Sequence, residues 1–180
     1  MRFTDSDLQK DYFRLFDLPA GFALDLSRLE QAYRALQMQV HPDTVAHLSA
    51  AEQRLAMQYS TRVNEGYQTL RNPLRRGRYL LNLRGVDTQE ETNTAMPLDF
   101  LMAQMNWREE IADARSAADA GALEALEKRL RAETRLLENQ LSSALDDVAD
   151  NALAAELVRK LRFMEKLAEE IHSAYDALDV

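Results

Sequence analysis

Cysteine is absent from the 180 residues, so the chain has no disulfide, no thiolate nucleophile and no cysteine-ligated zinc. Glycine and proline are scarce, at 5 and 4, which leaves few of the tight turns that a many-stranded sheet needs. Ala, Leu, Glu, Gln, Arg and Met crowd the sequence instead and favour long helices, so the expected fold class is all-α. No stretch approaches the roughly 18 consecutive apolar residues of a membrane span. Residues 1–12 (MRFTDSDLQKDY) have no basic region followed by an apolar one, so no signal peptide is visible and the cytoplasm is the expected location.

What the chain has is 46% hydrophobic and 29% charged residues, enough to bury a globular core in one domain or two small ones. The formal net charge of -8 hides an asymmetry. Residues 1–85 carry 12 Lys and Arg against 9 Asp and Glu, a net +3, while residues 86–180 carry 10 against 21, a net -11. An acidic chain is a poor general binder of nucleic acid, because affinity for a duplex comes mostly from neutralised phosphates. Residues 85–97 (GVDTQEETNTAMP) are polar, begin with Gly, end with Pro and lack an apolar period, as a connector would. The expected division is therefore a first domain at 1–84, a connector at 85–97 and a second domain at 98–180.

In the first domain, Asp11 is a plausible N-cap for a short helix at 12–18, ended by Pro19 and Gly21. Asp25 or Ser27 opens a second helix whose apolar residues Leu26, Leu29, Tyr33, Leu36 and Val40 step by three and four. It stops near His41, since Pro42 lacks an amide hydrogen and disfavours helical geometry in the residue before it. A third helix runs from about Ser49 to Leu70, closed by Asn72-Pro73, and a short fourth covers 74–83. The second domain reads as three helices, at 97–118 stopped by Gly121, at 122–148 with a stripe ending in Leu145 and Val148, and at 151–178 with a stripe through Leu153, Leu157, Met164, Ile171, Tyr175 and Leu178. Short connections make neighbours antiparallel, which suggests a three-helix bundle.

Chemistry-bearing residues are few. Histidine occurs 3 times, and the one cluster is His41-Pro42-Asp43 with His47 four residues on. A metal-dependent hydrolase reading takes His41, Asp43 and His47 as ligands. No nucleophile elbow, phosphate-binding glycine loop or zincin motif accompanies them, so neither an enzyme nor a cofactor is expected. Taken alone, the tripeptide reads as a polar stop between two helices. The basic run Arg71, Arg75, Arg76, Arg78 and Arg84 reads as a solvated face, or as a contact for the acidic half, rather than a nucleic-acid patch, because no aromatic residues suited to base stacking are interleaved.

In order and spacing, DYFRLFDLP, EQAYRALQMQVHPD, RVNEGYQTL and RNPLRRGRY resemble the J-domain of DnaJ-type co-chaperones over residues 11–79. The resemblance implies a helical hairpin with short flanking helices, whose His41-Pro42-Asp43 segment docks on a DnaK-class chaperone and stimulates its ATP hydrolysis. Arg34 is the one basic position of the docking helix that this chain keeps, while Val40 stands for a Tyr and Thr44 for a Lys. Weaker electrostatic steering follows, as suits a dedicated chaperone partner.

The segments LRNPLRRGRYLLNLRG, MPLDFLMAQMNWREEI and VRKLRFMEKL extend the likeness to nearly the whole chain and narrow it to the HscB family of iron–sulfur cluster assembly. That resemblance implies an HscA-type chaperone and an IscU-type scaffold protein as partners. It carries the scaffold-binding patch onto Leu101, Met102, Met105, Asn106, Glu109 and Phe163, with Asn106 replacing a common acidic residue. A general co-chaperone for unfolded chains is the alternative within the same resemblance. Helix geometry reaches the patch separately. At about 100° per residue, Phe100, Ala103, Trp107, Ile111 and Ala114 gather on one side of their helix, and Leu98, Leu101, Met102 and Met105 on the other. Phe163 projects roughly 90° from the centre of its helix's stripe and is expected at the surface. A face rich in Met suits adaptable binding, because the unbranched side chain can repack.

Overall fold

The computed structural model describes residues 5–88 and 97–178; most of the expected connector therefore lies outside the described residues. All regular structure among them is helical, as expected. The chain forms two compact units that divide between Leu80 and Leu81.

The first unit contains α1 (Asp5–Gln9), α2 (Tyr12–Leu15), α3 (Leu26–Val40), α4 (Pro42–Val45), α5 (Ala50–Arg71) and the larger part of α6 (Pro73–Leu83). The caps are those the sequence suggests. Asp11 accepts from the Arg14 amide, and Asp25 accepts from the amides of Ser27 and Arg28. Ser49 and Glu52 form a reciprocal capping box at the start of α5, which satisfies two amides that have no partner inside the helix. α3 and α5 pack on each other, and α2 lies across α5. That approach is close, since a Cβ on Gly66 of α5 would stand 2.8 Å from Tyr12 and 3.0 Å from Phe16. Phe13, Phe16, Phe22, Leu29, Tyr59, Val63 and Leu70 fill this unit's interior. Two expectations change here. The first aromatic helix ends at Leu15, because Asp17 takes a left-handed backbone (φ 54°), and Leu26 is exposed because it occupies the opening position of α3.

The second unit holds the end of α6, then α7 (Leu98–Ser116), α8 (Ala120–Ser142), a π-turn (Ser143–Asp147) and α9 (Asn151–Asp176). Each of α7, α8 and α9 packs on the other two, giving the three-helix bundle. Trp107, Ile111 and Ala114 meet Leu123, Leu126 and Leu130 of α8, and Met164, Leu167 and Ile171 of α9.

The residues around the expected 84/85 division are tied to the second unit. The Arg84 guanidinium donates to the Leu145 carbonyl at 2.9 Å and the Asn151 Oδ1 at 3.0 Å, and Arg159 donates to the Thr88 carbonyl at 3.2 Å. The segment after α6 is thus hydrogen-bonded to the bundle.

The stop after α7 also differs. The stop comes from Ala118, which takes a left-handed backbone (φ 51°), rather than from Gly121. The Asp119 amide donates to the Ala114 carbonyl and the Ala118 amide to the Arg115 carbonyl, the paired bonds of a Schellman motif. Gly121 lies within α8, which Asp119 caps. At the other hairpin the π-turn ends α8 early, so Val148 is exposed rather than the last member of a buried stripe; Leu153, at the start of α9, is also exposed.

Candidate functional site

The His41-Pro42-Asp43 segment is not an irregular loop. α3 ends at His41, whose extended backbone (ψ 138°) turns the chain, and a single helical turn, α4, begins at Pro42. Proline suits that first position, because an amide there would have no intrahelical partner. The His41 carbonyl accepts from the amides of Thr44 (2.8 Å) and Val45 (3.2 Å). The His41 ring caps the same turn, its Nδ1 accepting from the Asp43 amide at 3.3 Å. The Thr44 hydroxyl ties the turn back to α3 through the Met38 carbonyl at 3.2 Å.

Asp43 Oδ2 stands 3.6 Å from the His41 Nδ1, too far for a hydrogen bond and a charge partner only when the ring is protonated. The Asp43 side chain is 92% exposed. Its carboxylate is therefore presented to solvent by a backbone fixed on both sides, the arrangement in which a planar guanidinium can be bound through two oxygens.

Arg34 stands two turns back along α3 and is partly engaged. Its guanidinium is 2.9 Å from Glu30 Oε1, while the other Glu30 oxygen accepts from the Tyr67 hydroxyl of α5. The Tyr67 ring stacks on Tyr33 at 4.0 Å, and the Tyr33 hydroxyl donates to Asn64 at 3.0 Å. This polar ladder joins α3 to α5. The Tyr67 hydrogen bond first, and Arg34 second, lower the Glu30 carboxyl below its ordinary range, and the same bond raises the Tyr67 phenol. With its side chain 75% exposed, Arg34 keeps donors in solvent while Glu30 fixes its position.

His47, the third ligand of the hydrolase alternative, is exposed beyond α4. Among the described residues, no group of three His, Asp or Glu side chains is arranged to hold a metal ion. The basic run is likewise dispersed. Arg71 lies over the Tyr67 ring, Arg76 is buried against Phe22 with its guanidinium on the Leu70 carbonyl, and Arg84 is held by the bundle.

The second candidate surface lies on α7. Trp107, Ile111 and Ala114 are buried, and Phe100 is packed at the margin of the core. On the other side Leu101 is 37% exposed, Met102 59% and Met105 72%, continuous with exposed Leu98; Asn106 and Glu109 are exposed beside them. Two residues depart from the expected faces. Ala103 is exposed, and Gln104 occupies the half-buried position between Phe100 and Trp107.

Phe163 is the larger correction. It is 7% exposed and belongs to the core, although the helical angle suggested a surface position. A second helix fills that angle: Phe100 of α7 meets the Phe163 ring edge-on at 5.5 Å, and Arg108 of α7 lies 5.6 Å over it. Phe163 therefore supports α7 from beneath. The signal that could have found it is the Phe100–Phe163 pairing, which is legible only once the two helices are known to cross there.

Comparison with known proteins agrees with this architecture. Residues 96–172 match the family model described as the HSCB C-terminal oligomerisation domain. The co-chaperone protein HscB homolog of Chromobacterium violaceum is 59% identical over 172 residues, 96% of this chain and 97% of the relative. The chain belongs to the HscB family of co-chaperones. The HscB homolog of an Azoarcus species is 52% identical over 96% of this chain and 98% of its own. Among solved structures, chaperone HscB from Vibrio cholerae superposes with a TM-score of 0.83 at 38% identity, covering 94% of this chain and 99% of that one. Human co-chaperone HscB gives 0.86 at 33% identity, covering 92% and 82%. Within the HscB frame, the solvent-presented turn of the first unit and the apolar face of α7 are the two candidate surfaces among the described residues.

Proposed function

We propose that this HscB-family chain is a cytoplasmic adaptor that brings an IscU-type iron–sulfur scaffold protein to an HscA-type, DnaK-class chaperone and stimulates that chaperone's ATP hydrolysis, promoting cluster assembly and transfer. His41, Pro42, Asp43 and Arg34 make the chaperone-binding site. Leu101, Met102, Met105, Asn106 and Glu109 make the scaffold-binding site, with Phe163 holding α7 in position beneath them. The observation that carries the reading is the pairing, in one family member, of a rigid turn presenting the Asp43 carboxylate with an apolar helix face left uncovered by its own bundle.

Each surface has a distinct physical task. The Asp43 carboxylate offers charge-assisted hydrogen bonds to a chaperone arginine, and the His41 cap keeps that carboxylate on a fixed backbone. The α7 face offers apolar area and adaptable thioethers to one folded client. Joining both on one chain raises the client's effective concentration at the chaperone. The work of the chain is binding; the hydrolysis belongs to the partner.

The test is a steady-state ATPase assay with the HscA-type chaperone. Asp43→Ala and His41→Gln are expected to abolish stimulation while leaving helical content and melting temperature near wild type, because both side chains are exposed. Full stimulation by either variant refutes the chaperone-binding assignment.

A further inference from the structure

With no cysteine in the chain, its only sulfur atoms are the thioethers of its methionines, and among the described residues the structure sorts these sharply. Met164 is 6% exposed in the core of the bundle, whereas Met102 and Met105 are 59% and 72% exposed. These two are three residues apart on α7, which makes them neighbours on one helix face, and they supply its most exposed flexible apolar contacts beside Leu98 and Leu101. Neither side chain supports the core, so a change of their chemistry alters the surface without unfolding the helix. Oxidation of Met to its sulfoxide makes such a change, turning a flexible apolar side chain into a polar, chiral one, and it is enzymatically reversible.

We propose that Met102 and Met105 form a reversible oxidation site that switches off the apolar face of α7; the inference rests on the reading of that face as the scaffold-binding surface. The oxidant is a peroxide, with hydrogen peroxide as the simplest case. A sulfur lone pair attacks one peroxide oxygen, the O–O bond breaks and an S–O bond forms. The departing hydroxide takes the proton from the transferred oxygen and leaves as water. Sulfur loses two electrons and the peroxide gains them. The sulfoxide oxygen then carries a hydrogen-bonding demand that an apolar interface leaves unmet, so the oxidised face resists dehydration by a partner. Met38 and Met57 are also exposed, on α3 and α5 of the first unit. Their oxidation leaves α7 unaltered.

The experiment treats the whole chain with hydrogen peroxide, maps sulfoxides by peptide mass spectrometry, and measures affinity for the IscU-type scaffold by calorimetry before and after treatment. A Met102→Leu, Met105→Leu variant is measured in parallel. Sulfoxide is expected at Met102 and Met105 well before Met164, with scaffold affinity falling at least about tenfold and returning after methionine sulfoxide reductase. The Leu variant, whatever affinity it starts from, is expected to show no further fall on the same treatment. Undiminished binding by a chain oxidised at both positions overturns the proposal, as does an equal loss in the Leu variant or resistance of both thioethers to peroxide. If the untreated wild type and the Leu variant both fail to bind the scaffold, the scaffold-binding reading falls, and this proposal with it.

Discussion

Truncating the α7 face and truncating the residue beneath it should separate affinity from stability. Leu101→Ala, Met102→Ala and Met105→Ala combined remove side chains that are 37%, 59% and 72% exposed, so each should move stability by less than about 0.5 kcal/mol. Alanine's better helix propensity offsets part of that change. If the three are central anchors for a scaffold protein, each is worth about 1 kcal/mol or more of binding. Their joint loss then weakens the complex by roughly 100-fold. Phe163→Ala should behave in the opposite way. The ring is 7% exposed, and its removal also abandons the edge-on contact with Phe100 and the overlying Arg108. Deleting a buried Phe costs roughly 3–5 kcal/mol, which for a unit of this size lowers the melting temperature by more than about 10 °C. Thermal melts beside calorimetric titration with an IscU-type scaffold read both quantities. A triple variant that unfolds, or one that stays folded and binds normally, refutes the surface assignment. A Phe163→Ala chain that melts like wild type refutes its role beneath α7.

Two further outcomes follow from local geometry. Ala118 and Gly85 hold the same left-handed position, at φ 51° and 75°, each ending a helix through the same pair of backbone bonds, yet only one is glycine. Ala118→Gly should raise stability by about 0.5–1 kcal/mol, net of the looser unfolded chain; a lower denaturation midpoint would show that Ala118 carries no strain. Glu30 titrates below its ordinary range in the folded chain because of Tyr67 and then Arg34, so its contribution to stability is present above the unfolded pKa and is lost as pH falls toward the folded one. Glu30→Gln should therefore flatten the acid side of a stability–pH profile from the ordinary glutamate range downward, and identical slopes for variant and wild type would exclude the linkage.

Much of this was legible in order along the chain. Helix starts are local events: Asp11, Asp25 and Ser49 each hydrogen-bond amides two or three residues on, and Pro42 ends α3 through its own covalent geometry. The opposed faces of α7 also follow from residue spacing alone, which is why Trp107 and Met105 fall on the expected sides. Tertiary structure decided what spacing could not. The left-handed residue between α7 and α8 fell to Ala118 rather than to Gly121, because where a helix terminates depends on which backbone bonds the bundle closes, and strain at one Ala is small against that packing. That the residues after α6 are held by the second unit also needed the fold, because Arg84 finds its carbonyl 61 positions away. Phe163 was read from its own helix as peripheral and became core, since burial at the margin of an amphipathic stripe depends on whether a second helix crosses over it.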